Sequence, residues 1–333
     1  MATQLQTNDA SLASGLQLRA AQWSDLEAVV ELIRDVCIAD GDPTVATTSI
    51  ELAQYWKTEG FSVEKDAWVV QTEDGRVVGY EEFTNRHAHA SLGGDGYVHP
   101  DFMGRGLGTA MLRALDVRAM QELALAEPDL RVFMRNGMAT GDRVGREIHE
   151  AAGYQPIRFS WTMRIELKQA PPMPAWPEGV SLRPFDVERQ GQQVFEAHEE
   201  AFSDHWGHTP GTYGNWKLRM SGREDFDPSM WFIAWDGDQI AGYSLCRLRN
   251  GIGWVGTLGV RRAWRKRGLG MALLLHSFGE FYKRGSYSIG LGVDASNPTG
   301  ATRLYQKAGM QVDNEYVIYE KEYRAGRDPE EVS

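Results

Sequence analysis

A basic, glycine-rich turn between an apolar strand and an apolar helix is the stretch of this chain best suited to bind an anion. The strand spans residues 257–260, the turn (Arg-Lys-Arg-Gly-Leu-Gly) spans 265–270, and large apolar residues then recur at helical spacing. Glycines let backbone N–H groups approach a ligand closely, and a helix start adds the positive end of its dipole. Because three cationic side chains add further positive charge, the stretch predicts a diphosphate-binding loop.

The spacing within this turn separates it from the common nucleotide-binding loops. The turn matches neither the GxGxxG fingerprint nor the GxxxxGKS/T loop. It has Arg265-x-x-Gly268-x-Gly270, after a strand that ends at Val260. This order resembles the acyl-CoA-binding signature of the GCN5-related N-acetyltransferase (GNAT) family, which is Gln/Arg-x-x-Gly-x-Gly/Ala after the fourth strand.

A second GNAT signature follows at the expected distance. Residues 289–293 read as a fifth strand, and residues 293–310 resemble V-x-x-x-N-x-x-A-x-x-L-Y-x-K-x-G-F/M, with one extra residue between Asn297 and Ala301. The resemblance implies that Asn297 lies near the pantetheine of acetyl-CoA and that Tyr305 lies near its sulfur as general acid. A phenol keeps its proton at neutral pH, since its usual pKa is about 10. The other cofactor contacts that the resemblance implies are Leu258 and Val260 for the pantetheine, and the backbone of Arg265, Lys266, Arg267, Gly268, Leu269, Gly270 and Met271 for the diphosphate.

The general base is less well defined by the sequence. Residues 252–259, in the strand where some family members place a carboxylate, contain none. Asp294 is one candidate, and a base acting through ordered water is another. Further candidates are Glu199, Glu200, Asp204, His205 and His208. The two histidines are a poor metal pair, because they lie three residues apart around a glycine with no evident third ligand, and no metal is predicted. Four aromatic residues either line an acceptor pocket or belong to the core: Trp206, Tyr213, Trp216 and Trp254.

The first half of the chain repeats the layout of the second half. Trp68 and Gly79 are 11 residues apart, as are Trp231 and Gly242, and each pair brackets an Asp-Gly hairpin turn. A repeat at about half the chain length predicts two homologous domains rather than a solenoid. The fold class expected is α/β (α+β), with two tandem GNAT domains, each a mostly antiparallel mixed sheet with helices on both faces. The stretches at residues 202–206 (Phe-Ser-Asp-His-Trp) and 302–306 (Thr-Arg-Leu-Tyr-Gln) are similar to those of the two-domain, mycothiol synthase-like members of the family.

The predicted boundaries follow from this repeat and from a proline-rich segment. Four prolines in residues 169–179 remove backbone donors and fix φ, which indicates a linker. The predicted organisation is a flexible tail at 1–16, an N-terminal GNAT domain at 17–168, the linker at 169–179, a C-terminal GNAT domain at 180–324 and a tail at 325–333.

The N-terminal half departs from the family pattern at two positions. Met103 stands where the first signature has Gln or Arg, and His149 stands in the place of Tyr305. We therefore expect this half to be degenerate and the C-terminal half to be catalytic. A second possible cofactor site in the N-terminal half comprises Val98, Gly104, Arg105, Gly106 and Gly108.

Composition limits the function classes. The chain has 333 residues and a formal net charge of −11, which argues against a general nucleic-acid binder and favours a neutral or cationic co-substrate beside the anionic cofactor. Its two cysteines, Cys37 and Cys246, indicate no disulfide framework. Neither a signal peptide nor a long apolar stretch is present, so a cytoplasmic protein without membrane contact is expected, as a monomer or homodimer.

The resemblance implies an acetyl-CoA-dependent N-acetyltransferase that moves an acetyl group directly to the primary amine of a small molecule. Two alternatives stay open at this stage. One is a protein acetyltransferase that acts on lysine or N-terminal amines. The other is a non-catalytic acyl-CoA-binding regulatory module, against which an intact Tyr305 beside an intact diphosphate loop weighs.

Overall fold

A computed structural model describes residues 12–329 except 42, 44, 45, 207, 209, 210, 224, 250 and 298. Most of the two predicted tails lies outside these described residues. Backbone contacts divide the chain into two compact units. Unit 1 is built from the described residues up to Arg158 and those from Tyr316 onwards, and unit 2 is Phe159–Glu315. The two boundaries fall inside strands, Gln155–Glu166, which pairs in unit 2, and Gln311–Arg324, which pairs in unit 1.

Unit 1 contains a mixed sheet with one parallel pair of strands. In sheet order its strands are β1 (Leu16–Ala20), β2 (Ala67–Thr72), β3 (Val77–His87), β4 (Ser91–Val98), β5 (Val132–Ala139) and β12 (Gln311–Arg324). Its helices are α1 (Leu26–Ala39), α2 (Ser49–Trp56), α3 (Val63–Asp66), α4 (Leu107–Leu123) and α5 (Arg143–Ala151). β4 and β5 are parallel, and the other pairs with a defined register are antiparallel.

Unit 2 repeats this arrangement. In sheet order its strands are β6 (Gln155–Glu166), β11 (Ser288–Asp294), β10 (Ile252–Val260), β9 (Gln239–Arg249), β8 (Trp231–Asp236) and β7 (Val180–Arg183). Its helices are α6 (Val187–Phe202), α7 (Tyr213–Ser221), α8 (Leu269–Lys283) and α9 (Ala301–Lys307). β10 and β11 form the parallel pair. Both units thus confirm the predicted mostly antiparallel mixed sheet.

The closing strand of each predicted half belongs to the sheet of the other half. β6 pairs antiparallel with β11 of unit 2, and β12 pairs antiparallel with β5 of unit 1. The units therefore differ from two consecutive domains at 17–168 and 180–324. Periodicity in a strand shows which side chains face a core but not which neighbouring strand it joins. Residues 169–179, all of them described, form neither helix nor strand.

Helices cover both faces of each sheet, as the family resemblance predicts. In unit 2, α8 and α9 bury Leu273, Phe278 and Tyr305 on one face. On the other face, α6 and α7 contribute Val194 and Trp216 to a separate cluster. Fully burying a side chain of this kind is worth about 1.5–3 kcal/mol. No helix within the described residues combines the length and apolar character needed to cross a lipid bilayer.

Candidate active site

The two parallel strands of unit 2 separate soon after they pair. β10 and β11 are in register only at Gly253–Ile289 and Trp254–Gly290. The register between β10 and β9 then shifts between Val255 and Thr257, which leaves Gly256 as the extra residue of a β-bulge. Within the described residues, no strand pairs with β10 on the β11 side beyond Trp254. The opening leaves the backbone of residues 256–260 available to a ligand that can hydrogen-bond like a strand.

The predicted diphosphate loop follows β10 and has the geometry of a cradle. Lys266 has φ +62° and Gly268 has φ +85°, so the chain turns sharply before α8 begins. A Cβ atom at Gly270 would lie 3.1 Å from Leu304 Cδ1, which explains the glycine there. A left-handed backbone costs an ordinary L-residue about 1–2 kcal/mol. Lysine at position 266 therefore costs folding free energy that glycine would not. We infer that the Lys266 side chain has a role in the loop that glycine could not fill.

Arg265 supports this loop from inside. Its Nε donates to the Val260 carbonyl at 3.1 Å, and its Nη2 donates to the Ala201 carbonyl at 3.1 Å. Its Nη1 also lies 3.4 Å from Asp204 Oδ2. The guanidinium thus ties the end of β10 to the end of α6. The family motif places an arginine here, and the structure gives its side chain a supporting position.

The two residues after Arg265 supply the positive charge that is available to a ligand in this loop. Arg261 and Arg262 pair with acidic residues at the end of α6, at N–O distances of 2.6 and 2.7 Å. Lys266 and Arg267 are exposed, and neither pairs with a described carboxylate. Together with the backbone N–H groups at the start of α8, these two side chains can meet a diphosphate.

Tyr305 lies on α9 and is almost fully buried. Its side chain is 7 % exposed and belongs to the apolar core beneath the sheet. Burial raises the pKa of its phenol to about 12. No described group hydrogen-bonds to its hydroxyl. Tyr305 therefore holds a proton at neutral pH that it can donate to a bound ligand.

Asp294 and Asn297 shape the loop between β11 and α9. Asp294 Oδ1 accepts the Ser296 N–H at 2.9 Å, and Asn297 Oδ1 accepts the Thr299 N–H at 2.8 Å. Such Asx turns are a common use of these side chains. Asp294 is the last residue of β11 and Asn297 follows it in the loop, and the assignment of Asn297 to the pantetheine stays a prediction.

The other carboxylates proposed as bases are engaged. Glu200 and Asp204 pair with arginines of the loop after β10. Glu199 Oε2 lies 3.4 Å from His208 Nε2. His205 packs on Phe202 at 4.3 Å between ring centroids, and burial lowers its pKa. Among the described residues, no group of three or more potential ligands could hold a metal ion.

Sequence reasoning missed a histidine and a tyrosine beneath β10. His198 Nδ1 lies 3.2 Å from Tyr243 Oη, and burial lowers the pKa of His198 to about 4, with a smaller contribution from the Arg219 charge. A Cβ at Gly259 would lie 2.4 Å from the Tyr243 ring, so the glycine is required. The repeated Gly-Tyr pair at 79–80 and 242–243 was the available signal for Tyr243. A single histidine inside a helix gave none.

A cavity of about 180 Å³ opens on the α7 side of the bulge. Gly256 and Thr257 of β10 form one wall. The remaining lining residues are Arg219, Met220, Arg223, Asp225, Phe226, Trp231, Leu245, Cys246 and Arg247. Of the four aromatic residues predicted as pocket or core, Trp216 is core at 3 % exposure, whereas Trp206 is 39 % exposed.

Unit 1 keeps the loop geometry of unit 2. Gly104 has φ +73° and Gly106 has φ +86°, matching Lys266 and Gly268. A Cβ at Gly108 would lie 3.1 Å from Ile148 Cδ1. The side chain of Arg105 stacks over Phe102 at 4.7 Å, and its backbone carbonyl accepts the Ala13 N–H.

The opening between strands is more closed in unit 1. β4 and β5 pair at four positions, up to Gly94–Asn136, whereas β10 and β11 pair at two. The strand registers align Asn136 with Leu291, which is buried in the same way. The Asn136 amide donates to His149 Nε2 at 3.0 Å. A polar contact between β5 and α5 thus stands where unit 2 has an apolar side chain.

His149 has no spare proton to give. Its Nδ1 lies 2.8 Å from the Gly145 carbonyl, which can only accept, so Nδ1 carries the hydrogen and Nε2 is the acceptor. Burial lowers the pKa of His149, which keeps the ring neutral.

Unit 1 also carries acidic residues on β3 and β4. Glu82 and Asp95 are directly opposite in register. Tyr80 donates to Glu82 at 2.6 Å, and Tyr97 donates to Asp95 at 2.9 Å. Burial, together with the Asp95 charge, raises the pKa of Glu82 to about 8. Counted from the matching tyrosines, Leu245 and Thr257 occupy these positions in unit 2.

Comparisons with known proteins agree with this architecture. The pattern of the "Acetyltransferase (GNAT) family" matches residues 191–310, and that of the "Acetyltransferase (GNAT) domain" matches residues 64–154. A mycothiol acetyltransferase of Geodermatophilus obscurus is 30 % identical over 85 % of this chain and 90 % of its own. One of Nocardiopsis dassonvillei is 29 % identical over 88 % of this chain and 92 % of its own.

Solved structures show the same arrangement. A GCN5-related N-acetyltransferase from Sphaerobacter thermophilus is 37 % identical with a TM-score of 0.78, covering 95 % of this chain and 98 % of its own. A tandem GNAT protein from the clavulanic acid biosynthesis pathway has the same fold at 17 % identity and a TM-score of 0.69, covering 94 % and 100 %. The predicted enzyme class, an acetyl-CoA-dependent N-acetyltransferase, is confirmed. The chain belongs to the acetyltransferase (GNAT) family, with one GNAT domain matched in each half of its sequence.

Proposed function

We propose that the protein transfers an acetyl group from acetyl-CoA directly to the primary amine of a small molecule, and that unit 2 is the working site. One observation carries the proposal. In unit 2 the strands separate at a bulge, beside a loop with two cations and a buried tyrosine hydroxyl that have no partner among the described residues. In unit 1 the corresponding opening is narrower and a histidine without a spare proton replaces the tyrosine.

The residues of unit 2 fit acetyl-CoA. The exposed strand edge at Leu258 and Val260 suits the amide groups of the pantetheine, which can hydrogen-bond as a β-strand does. The cradle before α8 suits the diphosphate, with Lys266 and Arg267 supplying charge. Residues assigned to the diphosphate by their backbone are Arg265, Gly268, Leu269, Gly270 and Met271. Asn297 is assigned to the pantetheine side of the opening.

The chemistry assigned to the site is a single transfer. The neutral amine nitrogen attacks the thioester carbonyl, a C–N bond forms and the C–S bond breaks. The departing thiolate takes the proton of the Tyr305 hydroxyl, and the amine gives up its extra proton to a base. Asp294 is the protein carboxylate beside the opening that serves as the candidate base, directly or through water. Backbone N–H groups at the bulge polarise the carbonyl, and orientation of both substrates supplies much of the rate.

The acceptor is a small molecule in this proposal. The curated relatives are called mycothiol acetyltransferases, which supports a small-molecule amine as the acceptor class. Free-CoA release, measured with a thiol reagent over a panel of amines, tests this. Turnover with small amines and none with lysine-containing peptides is the expected result. Acetyl-CoA binding by calorimetry without CoA release from any amine would instead favour a non-catalytic binding module.

A further inference from the structure

The cavity beside the bulge in unit 2 has an unusual charge composition for an amine site. Three arginines line it, Arg219 on α7, Arg223 after α7 and Arg247 on β9. Asp225 is the carboxylate among the described lining residues. Its Oδ1 accepts from Arg223 Nε at 3.0 Å, and its Oδ2 lies 3.4 Å from Arg247 Nε.

Arg219 is the cation of this cavity that is available to a ligand. Asp225 contacts Arg223 and Arg247, whereas Arg219 is exposed and pairs with no carboxylate in the described part of the chain. The Arg219 charge is also felt at His198, where it adds to burial in lowering the histidine pKa. A primary ammonium alone would be repelled by this cavity, so a purely cationic acceptor does not suit it.

The rest of the lining is apolar and the space is small. Met220, Phe226, Trp231 and Leu245 contribute apolar surface, within a volume of about 180 Å³. The bulge residue Gly256 and Thr257 belong to the same wall. The cavity therefore adjoins the strand edge to which the thioester is assigned. A bound molecule can place one group among the arginines and another at that edge.

We propose that the acceptor of unit 2 is an amine that carries an oxyanion group, a carboxylate or a phosphate, in the same small molecule. The arginines bind the oxyanion, the apolar walls hold a short carbon skeleton, and the amine faces the thioester at the bulge. Arginine forks suit both oxyanions, because two N–H groups can donate in parallel to two oxygens. This inference rests on the proposed function of unit 2. It differs from the expectation, drawn from net charge, of a neutral or cationic co-substrate.

Matched pairs of amines test the proposal. CoA release is compared for L-leucine against L-leucinamide, and for O-phosphoethanolamine against ethanolamine, so that one member of each pair carries the oxyanion and the other does not. A site built to bind a charged group rejects the analogue that lacks it. We expect kcat/KM to be about tenfold to a hundredfold higher for one oxyanion-bearing member, and the pair that shows it identifies carboxylate or phosphate. Equal rates within both pairs, or a preference for L-leucinamide or ethanolamine, overturn the inference while leaving the proposed function intact.

Two arginine variants show whether the cavity is responsible. Arg219→Gln should reduce the preference for the oxyanion-bearing amine about tenfold, by raising its KM. Arg189→Gln removes the same charge from an exposed position on α6 and should leave the preference unchanged. An equal effect of both variants, or no effect of Arg219→Gln, would contradict the assignment to this cavity.

A binding measurement decides the inference even if no amine in the panel is acetylated. Calorimetric titration with N-acetyl-L-leucine and with N-acetyl-L-leucinamide, each in the presence of CoA, compares the carboxylate product with its uncharged analogue. O-phosphoethanolamine and ethanolamine are titrated in the same way. At least tenfold tighter binding of an oxyanion-bearing member, lost in Arg219→Gln, supports the proposal. Equal binding within both pairs contradicts it, and failure of turnover alone counts against the proposed function instead.

Discussion

The two units share a backbone loop but differ in the side chains around it. Gly106 and Gly268 directly precede the helices α4 and α8 and have nearly the same φ, +86° and +85°. At matching positions, however, His149 replaces Tyr305 and Asn136 replaces Leu291. The strand-to-helix junction fixes the loop, because the turn requires left-handed residues whatever binds there. A glycine signature therefore reports a local fold, and the groups around it report whether chemistry occurs.

The two units also differ in the charged side chains near their strand openings. Unit 1 places Glu82 and Asp95 on the strand positions where unit 2 has Leu245 and Thr257. Unit 2 instead lines the neighbouring cavity with arginines. If both units bound the same acceptor, this reversal of charge would be hard to explain. At matching strand positions, unit 1 therefore has carboxyl groups and unit 2 has uncharged side chains beside an arginine-lined cavity.

Replacing the loop glycines is the strongest test of this comparison. Gly268→Val should lower kcat/KM on the order of a thousandfold, because a branched residue distorts the left-handed turn and displaces the diphosphate. Gly106→Val imposes the same strain in unit 1 and should leave turnover nearly unchanged. CoA release and thermal unfolding are measured for both. Loss of activity with Gly106→Val alone would reverse the assignment of the working unit.

Removing the proposed acid should have the next largest effect. Tyr305→Phe keeps the buried ring but removes the proton donor, so kcat should fall about a hundredfold while acetyl-CoA affinity stays the same. His149→Gln in unit 1 is the matched control and should change kcat less than twofold. An unchanged kcat in Tyr305→Phe would exclude the hydroxyl as general acid.

Exchanging the residue at the left-handed position separates binding from folding. Lys266→Gly relieves about 1–2 kcal/mol of backbone strain and adds about 0.5–1 kcal/mol of unfolded-state entropy. The free energy of unfolding should therefore not fall, whereas acetyl-CoA affinity should weaken about tenfold at low salt. Denaturant unfolding and calorimetry measure the two quantities.

Arg265→Met provides the contrast to Lys266→Gly. It should lower the free energy of unfolding by about 1–3 kcal/mol, because the guanidinium bonds to two backbone carbonyls inside the fold. Loss of stability in Lys266→Gly, or none in Arg265→Met, would reverse the roles assigned to these cations.

The acidic pair in unit 1 predicts the smallest effect, a dependence of stability on pH. The pKa of Glu82 is about 8 in the fold, above its ordinary value of 4.5 in the unfolded chain. The stabilisation that Glu82 adds to the free energy of unfolding is therefore complete below pH 4.5 and is lost as the pH rises through 8. Between pH 5 and 9 the free energy of unfolding should fall on the order of 1–3 kcal/mol. Glu82→Gln should flatten this decrease, and an identical pH profile in wild type and variant would contradict the raised pKa.

The local parts of the fold and of the candidate site followed from the sequence. The hairpins, the turns at Gly106 and Gly268, and the helices after them depend on near neighbours, which spacing records. The inward position of Arg265 did not follow from the sequence, because only the packing of the fold brings the carbonyls of Val260 and Ala201 next to its side chain. For the same reason the contact between His198 and Tyr243, 45 residues apart, had no sequence signal.

The cavity next to the bulge shows the same limit. Its arginines come from α7, from the segment after it and from β9, and no short motif contains all three. The net charge of −11 favoured a neutral or cationic co-substrate. A total charge does not show how charge is distributed among the clefts of a protein. Only the tertiary structure assembles these side chains around one space.

The exchanged closing strands determine when the chain can finish folding during synthesis. The edge of β5 receives its partner β12 only after residues 316–324 have been made, nearly two hundred residues after β5 itself. A nascent chain therefore exposes an unpaired sheet edge for most of its translation, and such edges promote aggregation. Unit 1 is encoded by two segments that lie on either side of unit 2 in the sequence, so the N-terminal half of this chain lacks one strand of its own sheet.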